Sequence, residues 1–307
     1  MTHNNIGISI LIGIYNWDVT RLIADLSRQA DHLDTNYEII LLDDASDRDY
    51  QLTNAKLDFL PNVTYLQNCF NVGRSVVRNT LASKAHYPYL IFMDCDVSVC
   101  SDNYISNYIE TIEIAENKER LVVAGGVVYN STPPPHGKIL RWQYGRKKEQ
   151  KNAIERSKNP NYSFSTVNFL ISKNVFKEVE FDENLAQYGH EDTLFGIHLL
   201  EKGIIVKHIH NPIQHDVLCS TERFLTQTQH SIDNLLLISE KVRNKSELIK
   251  NTKLLHTYEK LKNHRKIRWF MKGYQLFSSL IEKNLNSAHP SIFLYNLYKL
   301  HYLCQHA

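Results

Sequence analysis

The sequence predicts an α/β fold with a mostly parallel central sheet flanked by helices, followed by a helical C-terminal extension. Three observations predict it. Short, near-continuous apolar runs alternate with helical spacing through the first half of the chain, the pattern of parallel strands covered on both faces. Acidic residues follow directly on two of those runs. Beyond about residue 220 only helical spacing remains.

The elements follow in order. Residues 8–14 read as a buried strand, and Val19, Leu22, Ile23 and Leu26 give the next helix its apolar face. Residues 37–42 form a second strand that runs into Asp43-Asp44, and 63–66 form a third. A helix over 75–85 precedes a fourth strand, 89–93, which Asp94 stops. An apolar run over 122–128 follows, and after it the texture changes. The three prolines 133–135 then break the pattern, and a basic stretch over 141–156 carries Trp142 and Tyr144. A strand over 167–172, a helix over 191–202 closed by Gly203, and a strand over 204–209 complete the body. The expected organisation is a catalytic body over 1–220, divided into halves 1–128 and 129–220, with a helical extension over 221–307.

At 307 residues, 43% hydrophobic and 22% charged, the chain has the composition of a folded globular protein, which excludes disordered and collagen-like classes. No run reaches the roughly 20 apolar residues of a membrane span, and the apolar start lacks the marks of a signal peptide. Five scattered cysteines without a CxxC fit reduced thiols and a cytoplasmic setting. The net charge of +2 hides an asymmetry. Residues 251–307 hold nine Lys/Arg against Glu259 and Glu282, so the remainder is net acidic. The basic residues lie mainly in this tail with no recognition motif, which argues against a nucleic-acid partner.

Asp94-Cys95-Asp96 places two carboxylates at a strand end, where a hard cation such as Mn2+ or Mg2+ would bridge them to phosphate. A DxD is weak by itself, since Asp47-Arg48-Asp49 is another one in a polar loop; the preceding buried strand distinguishes the first. Asp44 ends a second strand, where a carboxylate could accept from a nucleobase or ribose, or cap the next turn. Gly73 and Arg78 lie at the start of a helix, where an arginine could face a diphosphate. His190-Glu191-Asp192 begins another helix, and one of its acids could serve as a general base or only as a cap. His208, His210 and His215 do not match a zinc spacing, but one of them could join Asp96 on a metal.

Taken in order, these segments resemble the family 2 glycosyltransferases over about residues 6–220. Tyr15-Asn16 looks like the end of the family's opening segment. Asp43-Asp44-Ala45-Ser46-Asp47 is similar to its nucleoside segment, with Ala45 where glycine is usual. Asn71-Val72-Gly73 with Arg78-Asn79, Asp94-Cys95-Asp96 and Gly189-His190-Glu191-Asp192 match three further motifs. The resemblance implies a GT-A-type nucleotide-diphospho-sugar transferase fold. It also implies inverting, metal-dependent transfer from a nucleoside diphosphate sugar, with UDP the family's common nucleotide, to a hydroxyl of a glycan or lipid-linked acceptor in surface polysaccharide synthesis.

On that reading Tyr15, Asp44, Gly73, Arg78 and Asp94 bind the donor, and Asp96, Asp94 and His215 hold a divalent cation. Asp192 is the base, with Glu191 orienting the acceptor or taking that role, and Trp142, Tyr144 and His190 line the acceptor region. A catalytically silent scaffold subunit is the competing class, and a sugar-nucleotide pyrophosphorylase ranks below it for want of a basic, glycine-rich loop after the first strand.

In the tail, Ile267, Phe270, Met271, Tyr274, Phe277 and Ile281 form an apolar stripe beside Lys262, Arg265, Lys266, Arg268 and Lys272. It suits packing against the body or a second subunit. It also suits an amphipathic helix over 262–283 lying on the inner face of an anionic membrane.

Overall fold

The computed structural model describes residues 6–33, 35–185, 189–216 and 218–307. The chain divides into two compact units that interleave along the sequence: Met1–Asn130, Gln150–Ala186 and Glu191–Val217 make the first, and Ser131–Glu149, Gln187–His190 and Leu218–Ala307 the second. In place of one boundary near 220, the segment 131–149 belongs with the helical unit.

The first unit is built on a seven-stranded sheet. Its strands are β1 (Gly7–Ile14), β2 (Asn36–Asp43), β3 (Val63–Gln67), β4 (Tyr89–Asp94), β6 (Val122–Ala124), β8 (Asn168–Ser172) and β9 (Lys207–His208), in the order β3-β2-β1-β4-β8-β6-β9. Strands β3, β2, β1 and β4 are parallel, β8 runs antiparallel to both neighbours, and β9 pairs parallel with β6. A small second sheet has the order β5-β10-β7, from β5 (Val97–Val99), β7 (Val127–Tyr129) and β10 (Ile213–His215).

Strand β1 is buried along almost its whole length, yet its side chains still alternate. Ile8, Ile10, Ile12 and Ile14 join one core, with Leu22, Ile23 and Leu26 of α1 (Thr20–Asp31) and Tyr104, Tyr108 and Ile112 of α4 (Tyr104–Glu113). Leu11 faces the opposite core, with Val77 and Leu81 of α3 (Arg74–Lys84) and Phe195 and Leu199 of α8 (Glu191–Glu201). Each fully buried isoleucine contributes roughly 1.5–3 kcal/mol of transfer free energy. Two cores, one on each face, explain why the strand reads as a continuous apolar run.

The apolar run over 122–128 forms two strands in different sheets. The chain turns at Gly125-Gly126, where Gly126 has φ +95°. A Cβ on Gly125 would stand about 2.5 Å from both Asn168 Nδ2 and the Asn211 carbonyl, so only glycine fits.

Two buried polar groups hold this corner. Asn168 Oδ1 accepts from the Tyr104 and Tyr108 hydroxyls, and its Nδ2 donates to the Gly126 and Asn211 carbonyls. Arg156 donates to the carbonyls of Ala124, Gly125 and Ile209 and to His208 Nδ1 at 2.7–3.0 Å. Burial pushes the His208 imidazole down, so the neutral ring accepts at Nδ1 and donates through Nε2 to the Pro160 carbonyl. A buried cation is tolerated here because carbonyl oxygens satisfy its donors.

The second unit carries α5 (Ile139–Tyr144), α9 (Thr221–Lys241), α10 (Lys245–Asn251), α11 (Lys253–Asn263), α12 (Ile267–Leu285) and α13 (Ile292–His306). Ser220 and Ser291 cap α9 and α13 by accepting from Arg223 N and Leu294 N. Leu140, Phe224, Tyr274, Ile281, Leu285 and Tyr295 form its core, with Phe270 packed against them. Three members of the apolar stripe, Phe270, Tyr274 and Ile281, are therefore turned into the helical core, as packing and not a membrane face requires. Among the described residues no helix is long and apolar enough to cross a membrane.

Candidate active site

The ends of three adjacent strands set the site. Ile14 pairs with Asp43 and Gly13 with Asp94, so β1 ends between two acid-bearing strands. The strand order reverses direction at β1, and in open α/β sheets ligands bind at the carboxyl ends beside such a switch point.

Asp44 is an anchor in this structure. Its carboxylate accepts from Asn68 Nδ2, Val72 N and Gly73 N, each at 2.9 Å. This fixes the loop whose last residue, Gly73 at φ +87°, starts α3. Asp43, which the sequence reading left out, accepts from Ser46 N at 2.7 Å. Asn16 N donates to Ser46 Oγ and Asn16 Oδ1 accepts from Asp47 N, tying the end of β1 to the next loop. Ala45 sits at φ +60°, which accounts for glycine being usual there. Tyr15, directly after β1, is exposed.

Arg78 joins the two halves of the site. Its Nη2 donates to Asp94 Oδ1 at 3.1 Å, and Nη1 lies 3.7 Å from Glu191 Oε1 without making a hydrogen bond. Arg74 Nη1 stands 3.8 Å from the same Glu191 oxygen. Gly13 makes this possible: a Cβ there would be 2.6 Å from Val77 Cγ1, so its absence lets α3 settle onto β1 with Arg78 beside Asp94.

The small sheet brings Asp96 to His215. Strand β5 starts immediately after Asp96, and its first residue, Val97, stands opposite His215 in the antiparallel pair with β10. His215 Nε2 lies 3.8 Å from Asp96 Oδ2, longer than a hydrogen bond, and its ring stacks on Tyr129 with centroids 5.6 Å apart. Its Nδ1 is buried and makes no hydrogen bond among the described residues. Burial pushes the Asp96 carboxyl above the usual range; His215 counters this and Asp94 adds to it.

A carboxylate disfavoured by burial and by a second acid, facing an imidazole nitrogen, is a donor set that suits Mn2+ or Mg2+. The expected three-ligand set is nevertheless not gathered, because the Asp94 carboxylate is taken by Arg78. Among the described residues no three His, Cys, Asp or Glu side chains cluster closely enough to hold an ion. Cys95, between the two acids, is partly buried, and desolvation pushes its thiol up to about 12, so it is no nucleophile. His208 braces the Gly125-Gly126 corner and His210 is exposed, leaving His215 as the histidine at the site.

Glu191 and Asp192 open α8 in unlike surroundings. Glu191 faces two guanidinium groups, whereas Asp192 accepts from Thr193 N at 2.7 Å. Burial first, and then the Glu191 charge, push the Asp192 carboxyl up to about 7. Just before them, Gly189 and His190 both have positive φ, at +97° and +65°.

Trp142 and Tyr144 belong to the helical unit. Arg146 lies over the Trp142 ring at 5.2 Å, and Tyr144 packs on Phe224 and Tyr295 with Lys299 over its face. Leu140 and Tyr144, four residues apart on α5, share the inward face.

Sequence reasoning did not find Tyr129 or the Arg156 brace. Strands of three residues are too short to show a period, so nothing signalled that a second sheet would carry one wall of the site.

Residues 9–180, more than half of the chain, match the sequence model of the family described as Glycosyl transferase family 2. The chain belongs to this family.

Among its relatives is a chondroitin synthase of Escherichia coli, 26% identical over 229 residues, which are 64% of this chain and 32% of that protein. The matched part is thus about a third of that relative's length. Among solved structures, the mannosyltransferase PcManGT of Pyrobaculum calidifontis, in complex with GDP-Man and Mn2+, has a TM-score of 0.63 at 12% identity, covering 96% of this chain and 84% of its own. TarS 1-349 of S. aureus, in complex with UDP, has a TM-score of 0.51 at 16% identity, covering 80% of this chain and 69% of its own. At these identities the likeness shows the fold, and the fold of this family 2 glycosyltransferase is of the GT-A type.

Proposed function

We propose that the chain transfers a sugar, with inversion, from a nucleoside diphosphate sugar to a hydroxyl of a glycan or lipid-linked acceptor in surface polysaccharide synthesis, with a UDP-sugar as the first candidate donor. The observation that carries this reading is the bridge through Arg78, which links the strand-end acid Asp94 to the acid pair Glu191-Asp192. Relatives of the same fold bound to UDP or to GDP-Man with Mn2+ support it.

On this reading Asp96 and His215 would hold a divalent cation beside the donor diphosphate. When bound, that cation supplies Lewis-acid stabilisation of the charge that builds on the leaving diphosphate. Arg78 keeps a buried N–H for the same anion, and the Gly73 loop, fixed by Asp44, borders it. Tyr15 covers the nucleotide from the end of β1.

On the acceptor side, Glu191 is held by two arginines and orients the incoming hydroxyl. Asp192 takes its proton as the acceptor oxygen bonds to the anomeric carbon, while the bond to the diphosphate breaks and the electron pair leaves with the phosphate oxygen. His190 and Trp142 are assigned to the acceptor region. Tyr144 is assigned there as a support for the segment that carries Trp142.

A panel of UDP- and GDP-sugars incubated with the chain and Mn2+ tests the proposal, with released nucleoside diphosphate as the readout. Release from at least one donor, abolished by chelation, is expected. Absence of release and of binding across the panel would leave a silent subunit as the better account.

A further inference from the structure

The apolar side chains of α12 that the helical core does not take form a second surface. Trp269, Leu276 and Leu280 are 77%, 79% and 62% exposed, and Phe277 on the same helix is exposed too. At 3.6 residues per turn, Trp269, Gly273, Leu276 and Leu280 fall within about 60° of one another around the helix. Phe277 borders this arc on the side of the buried residues Tyr274 and Ile281. The opposite border, a further arc of about 60°, carries Arg268, Lys272 and Lys283, all exposed. The helix thus has one apolar arc buried in its own unit, another facing solvent, and a basic edge along the second.

We infer that this outer arc is a docking surface for a bilayer of acidic phospholipids. Charge selects that occupant. The border of the arc carries Arg268, Lys272 and Lys283 and no acid, a charge that a second copy of this surface would repel and an anionic headgroup layer attracts. Composition agrees, since an exposed tryptophan in line with leucines, edged by lysine and arginine, is the make-up of an interfacial helix. The arc differs from the stripe that the sequence suggested, half of which, Phe270, Tyr274 and Ile281, is core. It places α12 along the membrane plane with Trp269, Leu276 and Leu280 in the acyl boundary and Lys272 and Lys283 at the headgroups.

The test is flotation of the full chain with vesicles of phosphatidylcholine, with and without phosphatidylglycerol. Binding to the anionic vesicles, weakened by salt, is expected. W269A/L276A/L280A should lower the partition coefficient by about tenfold or more while keeping the circular dichroism spectrum and melting midpoint. K272E/K283E should lower it by about tenfold or more on anionic vesicles only. Quenching of tryptophan fluorescence by brominated acyl chains should fall in W269F. Equal flotation of parent and triple variant would overturn the inference. So would failure of the parent to bind, or a dimer of the parent, seen by light scattering, that the triple variant dissolves.

Discussion

Asp192→Asn is expected to lower the rate of sugar transfer by about 100- to 10,000-fold, the span that a general base supplies, while nucleotide binding changes little. The loss falls on kcat because asparagine keeps the shape and the acceptance from Thr193 N but cannot take a proton. The pH profile sharpens the test. With its carboxyl pushed up to about 7 by burial and by Glu191, Asp192 is mostly protonated, and so inactive as a base, below that pH. Log kcat/KM of the parent should rise with pH to about 7 and then level off, and the residual rate of Asp192→Asn should lack this limb.

Stability is the control. A carboxyl whose folded value lies above its unfolded value binds protons more tightly in the native state. Its contribution is fully present below the unfolded value and is lost as pH rises through about 7. Removing the charge should therefore leave the variant at least as stable as the parent above pH 7, so lost turnover cannot be traced to unfolding. Glu191→Gln should act differently, raising KM for the acceptor, because Glu191 is tied to Arg74 and Arg78.

Asp96→Ala is expected to abolish the effect of Mn2+ on donor binding. With the parent, calorimetric titration of a nucleoside diphosphate should show affinity falling by about 100-fold when the metal is chelated. With the variant, the titrations with and without Mn2+ should coincide near the weaker value. His215→Ala should give the same phenotype, and the double variant little more, as expected of two side chains that share one ion. Burial raises the Asp96 carboxyl above its usual range, so its removal should not destabilise the fold and a lost metal response cannot be traced to unfolding. An unchanged metal response in Asp96→Ala would remove the cation from this position.

Much of the site was legible because strand ends announce themselves. A run such as residues 89–93 stopped by Asp94 fixes both the strand and the place of its acid, and register then aligns Gly13 with Asp94 and Ile14 with Asp43. The order of the motifs gave Asp96, His215 and the Glu191-Asp192 pair their neighbourhood.

What stayed hidden depended on contacts distant in sequence. Nothing local shows that Asp44 holds the 68–73 loop, or that Gly125-Gly126 sends the chain from one sheet to another. Tyr144 reads as a stacking ring, yet Leu140, four residues earlier, turns it toward Phe224 and Tyr295. Helix α12 is the sharpest case. Its period is correct, but it carries two apolar arcs, and only the packing of Tyr274, Ile281 and Leu285 decides which one is core.

The central claim is a single displacement in which Asp192 activates the nucleophile on the face opposite the leaving diphosphate. The anomeric configuration of the first product tests it most directly, and water can stand in for the acceptor. Proton NMR of the sugar released from an α-linked donor, recorded before mutarotation, should show the β-anomer accumulating first. Release of the α-anomer first would contradict direct displacement and the role given to Asp192.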